Sequence, residues 1–262
     1  MSALAYICDY GSEEETTDTS SFFYYFIHSF INIVSLILKL KLPTPNLSGV
    51  SVVLSEEHID NPSLHSGRTR SFPHIRGNWA TFIYVEYPNK GNLFQIIEKL
   101  EALVKSVDES CMVCEDVHIS LSKTFVLRYH MIKSFTSTLQ NVLNNNNSFI
   151  LNFDSVEVYC NEENTRTFIA LGVDALSHAY LNNILKQINT LLDDFKLPTF
   201  YEFNPSFHMS ILSVNGNKKD LLLKILNNLY DIFIQQKYIL KSENINKVNC
   251  KSGNKIYQYC LK

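Results

Sequence analysis

Apolar and polar positions alternate along this chain with two periods, and the switches between them outline its elements. Trp79 to Tyr87 is rich in β-branched and aromatic residues, which predicts a strand. Residues 91–107 set Leu93, Ile96, Ile97, Leu100, Leu103 and Val104 at helical spacing. Val117 to Leu127 reads as a strand, and 130–143 as a helix closed by the Asn144–Asn147 run. Phe149 to Tyr159 and Thr167 to Val173 predict a hairpin around Asn161–Asn164. Residues 175–195 form a helix with Leu176, Tyr180, Ile184, Leu185, Ile188, Leu191 and Leu192 on one side. A strand from Phe207 to Val214 and a helix over 218–235 follow. Tyr238 to Val248 and Lys255 to Leu261 close the chain as strands joined at Ser252-Gly253-Asn254. This order predicts an α+β fold of two similar lobes, with mainly antiparallel sheets flanked by helices.

The body begins near Gly77-Asn78-Trp79, which leaves a long N-terminal region. Residues 1–20 carry Asp9, Glu13, Glu14, Glu15 and Asp18 and no basic side chain, and read as a disordered acidic tail. Phe22 to Leu42 is apolar and approaches the length of a membrane span, but His28, Ser29, Asn32 and Ser35 interrupt it. A helix docked on the core, a membrane anchor and a translated insert are all open, and Pro43 and Pro45 end any helix there. Residues 46–76 read as a loop-rich linker whose basic cluster, Arg68, Arg70, His74 and Arg76, is a solvated face ahead of an RNA contact. We therefore divide the chain into a variable region, 1–65, and a folded domain, 66–262.

Charge and composition narrow the chemistry. Of 262 residues, 45% are apolar and the net charge is −3. Outside the acidic tail the balance is near neutral, which is not the strongly basic face of a general nucleic-acid binder. It still permits a site that grips a few phosphates. Cys111-Met112-Val113-Cys114 is a lone CxxC with no second pair to complete a zinc site, so the six cysteines read as buried or idle thiols. No HExxH, no GxSxG and no glycine-rich phosphate loop occurs.

Two strings remain: His118-Ile119-Ser120-Leu121-Ser122 and His208-Met209-Ser210-Ile211-Leu212. Positions i and i+2 of a strand share a face, so each string shows an imidazole and a hydroxyl on one side and apolar residues on the other. One histidine in an apolar strand is most simply a hydrogen-bonded core residue. Two HxS strings in matching halves favour a site. One imidazole acts as base and the other as acid near neutral pH. RNA cleavage by the ribose 2′-OH needs both at once, and Ser120 and Ser210 suit the nonbridging oxygens where charge grows. His130 and His178 read as structural or solvated.

The paired strings resemble those of the two-histidine phosphoesterase superfamily, and more closely the U6 small nuclear RNA 3′-end-processing phosphodiesterase family. The likeness rests on Arg70-Ser71-Phe72-Pro73-His74 leading to Gly77-Asn78-Trp79-Ala80-Thr81, on the first string running on to Val126-Leu127-Arg128, on Thr165-Arg166-Thr167-Phe168-Ile169, on Pro205-Ser206-Phe207-His208-Met209-Ser210, and on Cys250-Lys251-Ser252-Gly253-Asn254-Lys255. It covers roughly residues 65–262. The resemblance implies a pseudo-symmetric fold with one HxS motif per sheet at a central cleft. It also implies a nuclear, monomeric, metal- and cofactor-independent 3′→5′ exoribonuclease that trims the U6 oligouridine tail and leaves a 2′,3′-cyclic phosphate or 3′-phosphate. His118 and His208 match the catalytic pair and Ser120 and Ser210 the phosphate-binding hydroxyls, with His208 as base and His118 as acid. The family places an aromatic upstream of the second motif to stack on a terminal base. Here Tyr201-Glu202-Phe203-Asn204-Pro205 is one residue longer and has Asn204 in place of Asp. Tyr201 is the residue chosen for stacking, with Phe203 as the alternative. A 2′,3′-cyclic phosphodiesterase and a non-catalytic RNA-end binder are the competing readings.

Overall fold

A computed structural model describes residues 75–200 and 205–262. The acidic tail, the apolar Phe22–Leu42 segment, the cluster Arg68, Arg70 and His74, and the approach residues Tyr201, Phe203 and Asn204 lie outside the described residues. Among the described residues no helix is long and apolar enough to cross a membrane.

In chain order the elements are β1 (Asn78–Glu86), α1 (Lys90–Lys105), β2 (Met112–Val113), β3 (His118–Ser120), β4 (Phe125–Arg128), α2 (Tyr129–Leu143), β5 (Phe149–Leu151), β6 (Phe153–Cys160), β7 (Arg166–Val173), α3 (Ala175–Asp194), β8 (His208–Asn215), α4 (Lys219–Leu223), α5 (Leu226–Gln236), β9 (Glu243–Ile245), β10 (Lys247–Ser252) and β11 (Lys255–Cys260). The main sheet runs β11-β10-β1-β3-β8-β7-β6, with β4 also paired to β1 and β2 to β8, while β5 and β9 form a small sheet of their own. Among the described residues the strand pairs are antiparallel. The fold is α+β, as the periodicity predicts. The two HxS strands are neighbours, and the two halves of the sheet meet there at the single pair Ile119↔Met209.

Alternation sorts the sheet into two faces. On β1, Thr81, Ile83 and Val85 are buried while Phe82 and Tyr84 are half-exposed. The buried face continues through Ile119, Met209, Leu171 and Val248. Leu93, Ile96, Ile97, Leu100 and Val104 form the buried stripe of α1, at the spacing the sequence sets. The opposite face of the sheet is thereby left to carry polar side chains.

Several boundaries differ from expectation, for local reasons. The strand expected over Val117–Leu127 is broken after Ser120. Its two parts pair with successive stretches of β1, Tyr84–Glu86 and Asn78–Thr81. Ser122 bridges the break: its Oγ accepts from the Ile83 N–H at 2.8 Å, a buried donor otherwise left without a strand partner. The Cys111–Cys114 stretch contributes the short strand β2, and the Cys114 N–H bonds to the Ile211 carbonyl at 2.9 Å, next to an irregularity in the β7–β8 register. Burial pushes the Cys111 thiol up to about 11 and the Cys250 thiol up to about 12, so both stay protonated.

The helix expected over 218–235 is two, α4 and α5, and the stretch after Tyr238 becomes a strand only at Glu243. On α3, Leu176 and Tyr180 are exposed rather than buried. Each i+4 step turns the helix by about 40° beyond a full circle, so three steps back from Ile188 lie about 120° off the buried stripe. Tyr180 instead stacks on Phe149 with ring centroids 5.5 Å apart.

Two of the sequence motifs meet away from the histidines. Gly253 adopts φ +55 in the β10–β11 turn, and a Cβ there would run into the Trp79 ring. Its N–H bonds to the Ala80 carbonyl at 2.9 Å. The Gly77-Asn78-Trp79 and Ser252-Gly253-Asn254 stretches thus hold the β1–β10 pairing together.

Candidate active site

The open face of the sheet collects the HxS side chains. Ile119 and Met209 point into the core and are fully buried, so His118, Ser120, His208 and Ser210 share the other face. Continuing the antiparallel register from Ile119↔Met209 sets Ser120 level with His208 and His118 level with Ser210. Side chains so placed across neighbouring strands lie about 5 Å apart at Cβ. Each histidine therefore has the other motif's serine as its cross-strand neighbour.

The imidazoles are held alike. His118 Nδ1 is 2.8 Å from the Asp116 carbonyl, and His208 Nδ1 is 2.9 Å from the Ser206 carbonyl, each two residues upstream. A carbonyl only accepts, so both Nδ1 atoms carry the proton. In the neutral rings the lone pair is then on Nε2. Burial lowers both pKa values from the ordinary imidazole value. The Asp116 carbonyl and the Asp116 and Glu86 charges oppose this at His118, and Lys251 adds to it. At His208 the Ser206 carbonyl and Glu157 oppose it, and the His118 charge adds to it. The two rings are close enough that charging one disfavours charging the other, as an acid–base pair of opposite protonation requires.

Residues outside the motifs shape each side. Tyr159 stacks on His208, with ring centroids 3.9 Å apart and planes at 19°. Its hydroxyl lies 2.5 Å from Ser206 Oγ and donates to the Glu157 carboxylate. Glu157 and Ser155 lean over Gly172, where a Cβ would collide with both, and Gly172 is the β7 partner of His208. On the other side, Phe82 and Tyr84 flank His118 at 5.9 and 5.3 Å. His178 stands apart: its Nε2 is 2.8 Å from the Pro205 carbonyl, so it braces the chain entering the second motif.

Sequence reasoning missed Glu157, Tyr159, Phe82, Tyr84 and Lys251 as neighbours of the histidines. Their i, i+2 spacing was legible, but the strand order that brings them alongside was not. Among the described residues no group of three His, Cys, Asp or Glu side chains comes together as a metal-ligand set.

The family model described as "HVSL: Uncharacterised conserved protein" matches residues 40–260. The U6 snRNA phosphodiesterase 1 of Drosophila melanogaster is 38% identical over 209 residues, covering 79% of each chain. That of Mus musculus is 35% identical over 228 residues, covering 85% of this chain and 84% of its own. The chain belongs to the U6 snRNA phosphodiesterase family. It is thus a member of a family of RNA phosphodiesterases. Among solved structures, Kluyveromyces marxianus Usb1 superposes with a TM-score of 0.49 at 13% identity, covering 71% of this chain and 98% of that one.

Glu157 yields a test of the electrostatics. Its carboxylate favours the charged form of His208, so Glu157→Gln lowers the His208 pKa further. A lower pKa keeps the ring neutral to lower pH. With His208 as base, the acidic limb of the kcat/KM profile shifts to lower pH while the alkaline limb stays in place. A shift of the alkaline limb instead exchanges the two histidines' roles.

Proposed function

We propose that the chain processes the 3′ end of U6 snRNA as a nuclear 3′→5′ exoribonuclease, with residues 66–262 as the catalytic domain. The observation that carries this reading is the pair of matched imidazoles, each with Nδ1 committed to its own backbone carbonyl and Nε2 as the atom that exchanges a proton. The 2′-OH of the penultimate nucleoside attacks the scissile phosphorus and gives its proton to His208. The bond from phosphorus to the 5′-oxygen of the last nucleoside breaks, and His118 protonates that oxygen. The shortened RNA ends in a 2′,3′-cyclic phosphate. Ser120 and Ser210 donate to the nonbridging oxygens, and Tyr201 stacks on the terminal base. Every proton in this scheme moves through an imidazole, so the reaction proceeds without metal or cofactor, in a monomer.

Incubating the full chain with an RNA ending in oligouridine, in EDTA, tests the reading. The expected result is stepwise shortening from the 3′ end with release of nucleosides or mononucleotides. Products that resist phosphatase until acid opens the cyclic phosphate identify the end. A 3′-phosphate that phosphatase removes directly indicates that the same pair also adds water across the cyclic phosphate. Cleavage of cyclic ends without shortening of the tail, or binding with no turnover, replaces the exonuclease by one of the competing readings.

A further inference from the structure

The face beside His118 holds chemistry that the acid–base reaction does not use. Register aligns Asn249 of β10 with Tyr84 of β1, and Tyr84 with Ser120 of β3. With Ser120 level with His208, these residues form one cross-strand row through the site. The adjacent β1–β10 pair on the same face is Phe82↔Lys251. Phe82 and Tyr84 have ring centroids 5.1 Å apart, and both flank His118. They are half-exposed on the open face of the sheet. His208 differs, because Tyr159 already covers one face of its ring at 3.9 Å.

Two polar groups here are unused. Asn249 is 3% exposed, and its Oδ1 has no hydrogen-bond partner among the described residues. A buried acceptor left unmatched is costly, and its place in the site row calls for a donor. The Lys251 ammonium bears electrostatically on His118, yet among the described residues no hydrogen bond or ion pair engages it.

We propose that Phe82, Tyr84, Asn249 and Lys251 form a nucleotide subsite on the His118 side of the scissile phosphate, selective for a base that presents a ring N–H, as uracil does. This rests on the RNA-processing reading above. The two rings supply a stacking surface. The Asn249 carbonyl oxygen accepts from the N3–H of uracil, whereas N3 of cytosine is itself an acceptor and leaves Oδ1 unmatched. The Lys251 ammonium neutralises phosphate charge next to the acid.

The test reads binding apart from turnover. In a His208→Ala background, the anisotropy of 5′-fluorescein-labelled hexauridine and hexacytidine gives affinities without cleavage. Phe82→Leu, which keeps apolar packing but not the ring, is expected to weaken hexauridine binding by about tenfold or more. Lys251→Gln is expected to lower the slope of log Kd against log salt by about 0.7, one phosphate contact to a single strand. Asn249→Leu replaces an unmatched polar group with an apolar one of similar shape. If Asn249 were only structural, that change would hold or raise Tm and leave binding alone.

The subsite requires instead that Asn249→Leu abolish the preference for hexauridine over hexacytidine at undiminished Tm. Hexauridine affinities within twofold of the parent for Phe82→Leu and Asn249→Leu overturn the proposal, even where the wild-type chain trims RNA. Weakened binding with no trimming by the wild type upholds the subsite and overturns the exonuclease reading.

Discussion

His118→Ala and His208→Ala each lower kcat on an oligouridine-tailed RNA by about 10²–10⁴-fold, the usual worth of one general acid or base. The double variant falls little further than the worse single one, because an acid without its base does not complete the transfer. The effect belongs to kcat. Each Nδ1 is already bonded to the carbonyl of Asp116 or Ser206, which leaves Nε2 for the proton transfer. His178→Ala is the control. That ring braces the Pro205 carbonyl and packs edge-on against Phe207, so its loss disturbs the approach to His208 without removing a proton carrier. Its cost is expected to be at least tenfold smaller than that of His208→Ala. Single-turnover rates of the three variants check this, and equal losses for His178→Ala and His208→Ala rule out the assigned pair.

The second large effect is at the serines. Ser120→Ala and Ser210→Ala are each expected to cost about 10²–10³-fold in kcat, comparable to loss of one oxyanion-hole donor. The register sets each hydroxyl level with the histidine of the other motif, so the four groups form a compact square on one sheet face. A phosphate between the two imidazoles lies within reach of both hydroxyls, whose contribution grows as charge gathers on the nonbridging oxygens. The loss therefore appears in kcat more than in KM. Ser122→Ala separates chemistry from folding. Its hydroxyl serves the Ile83 N–H, so its removal is expected to lower stability by about 1–3 kcal/mol with kcat retained in the folded fraction. Thermal unfolding beside single-turnover rates distinguishes the two kinds of serine.

Much of this was legible in the sequence because it rests on periodicity. The strand at 78–86 follows from its β-branched and aromatic content, and the stripe of α1 from its helical spacing. The shared face of each His and Ser follows from period two, which leaves no other arrangement. The losses came where long-range pairing overrides local pattern. The break after Ser120 exists because β1 takes two partners in succession, and β2 exists because β8 offers Met112 and Val113 an edge. Glu157 and Tyr159 were visible as strand residues, but only the order β8-β7-β6 shows that they reach His208. The CxxC, read from its missing second pair as idle thiols, holds one short strand and a protonated thiol.

In the proposed reaction a ribose 2′-OH is the nucleophile and the paired histidines move the protons. A single 2′-deoxy substitution at the penultimate nucleotide of an oligouridine-tailed RNA, assayed in EDTA, addresses it most directly. The all-ribose RNA is expected to be shortened, and the substituted RNA to stay at full length at that linkage while still binding. Removal of the last nucleotide from the 2′-deoxy RNA at an undiminished rate would contradict that reaction, because water would then be the nucleophile.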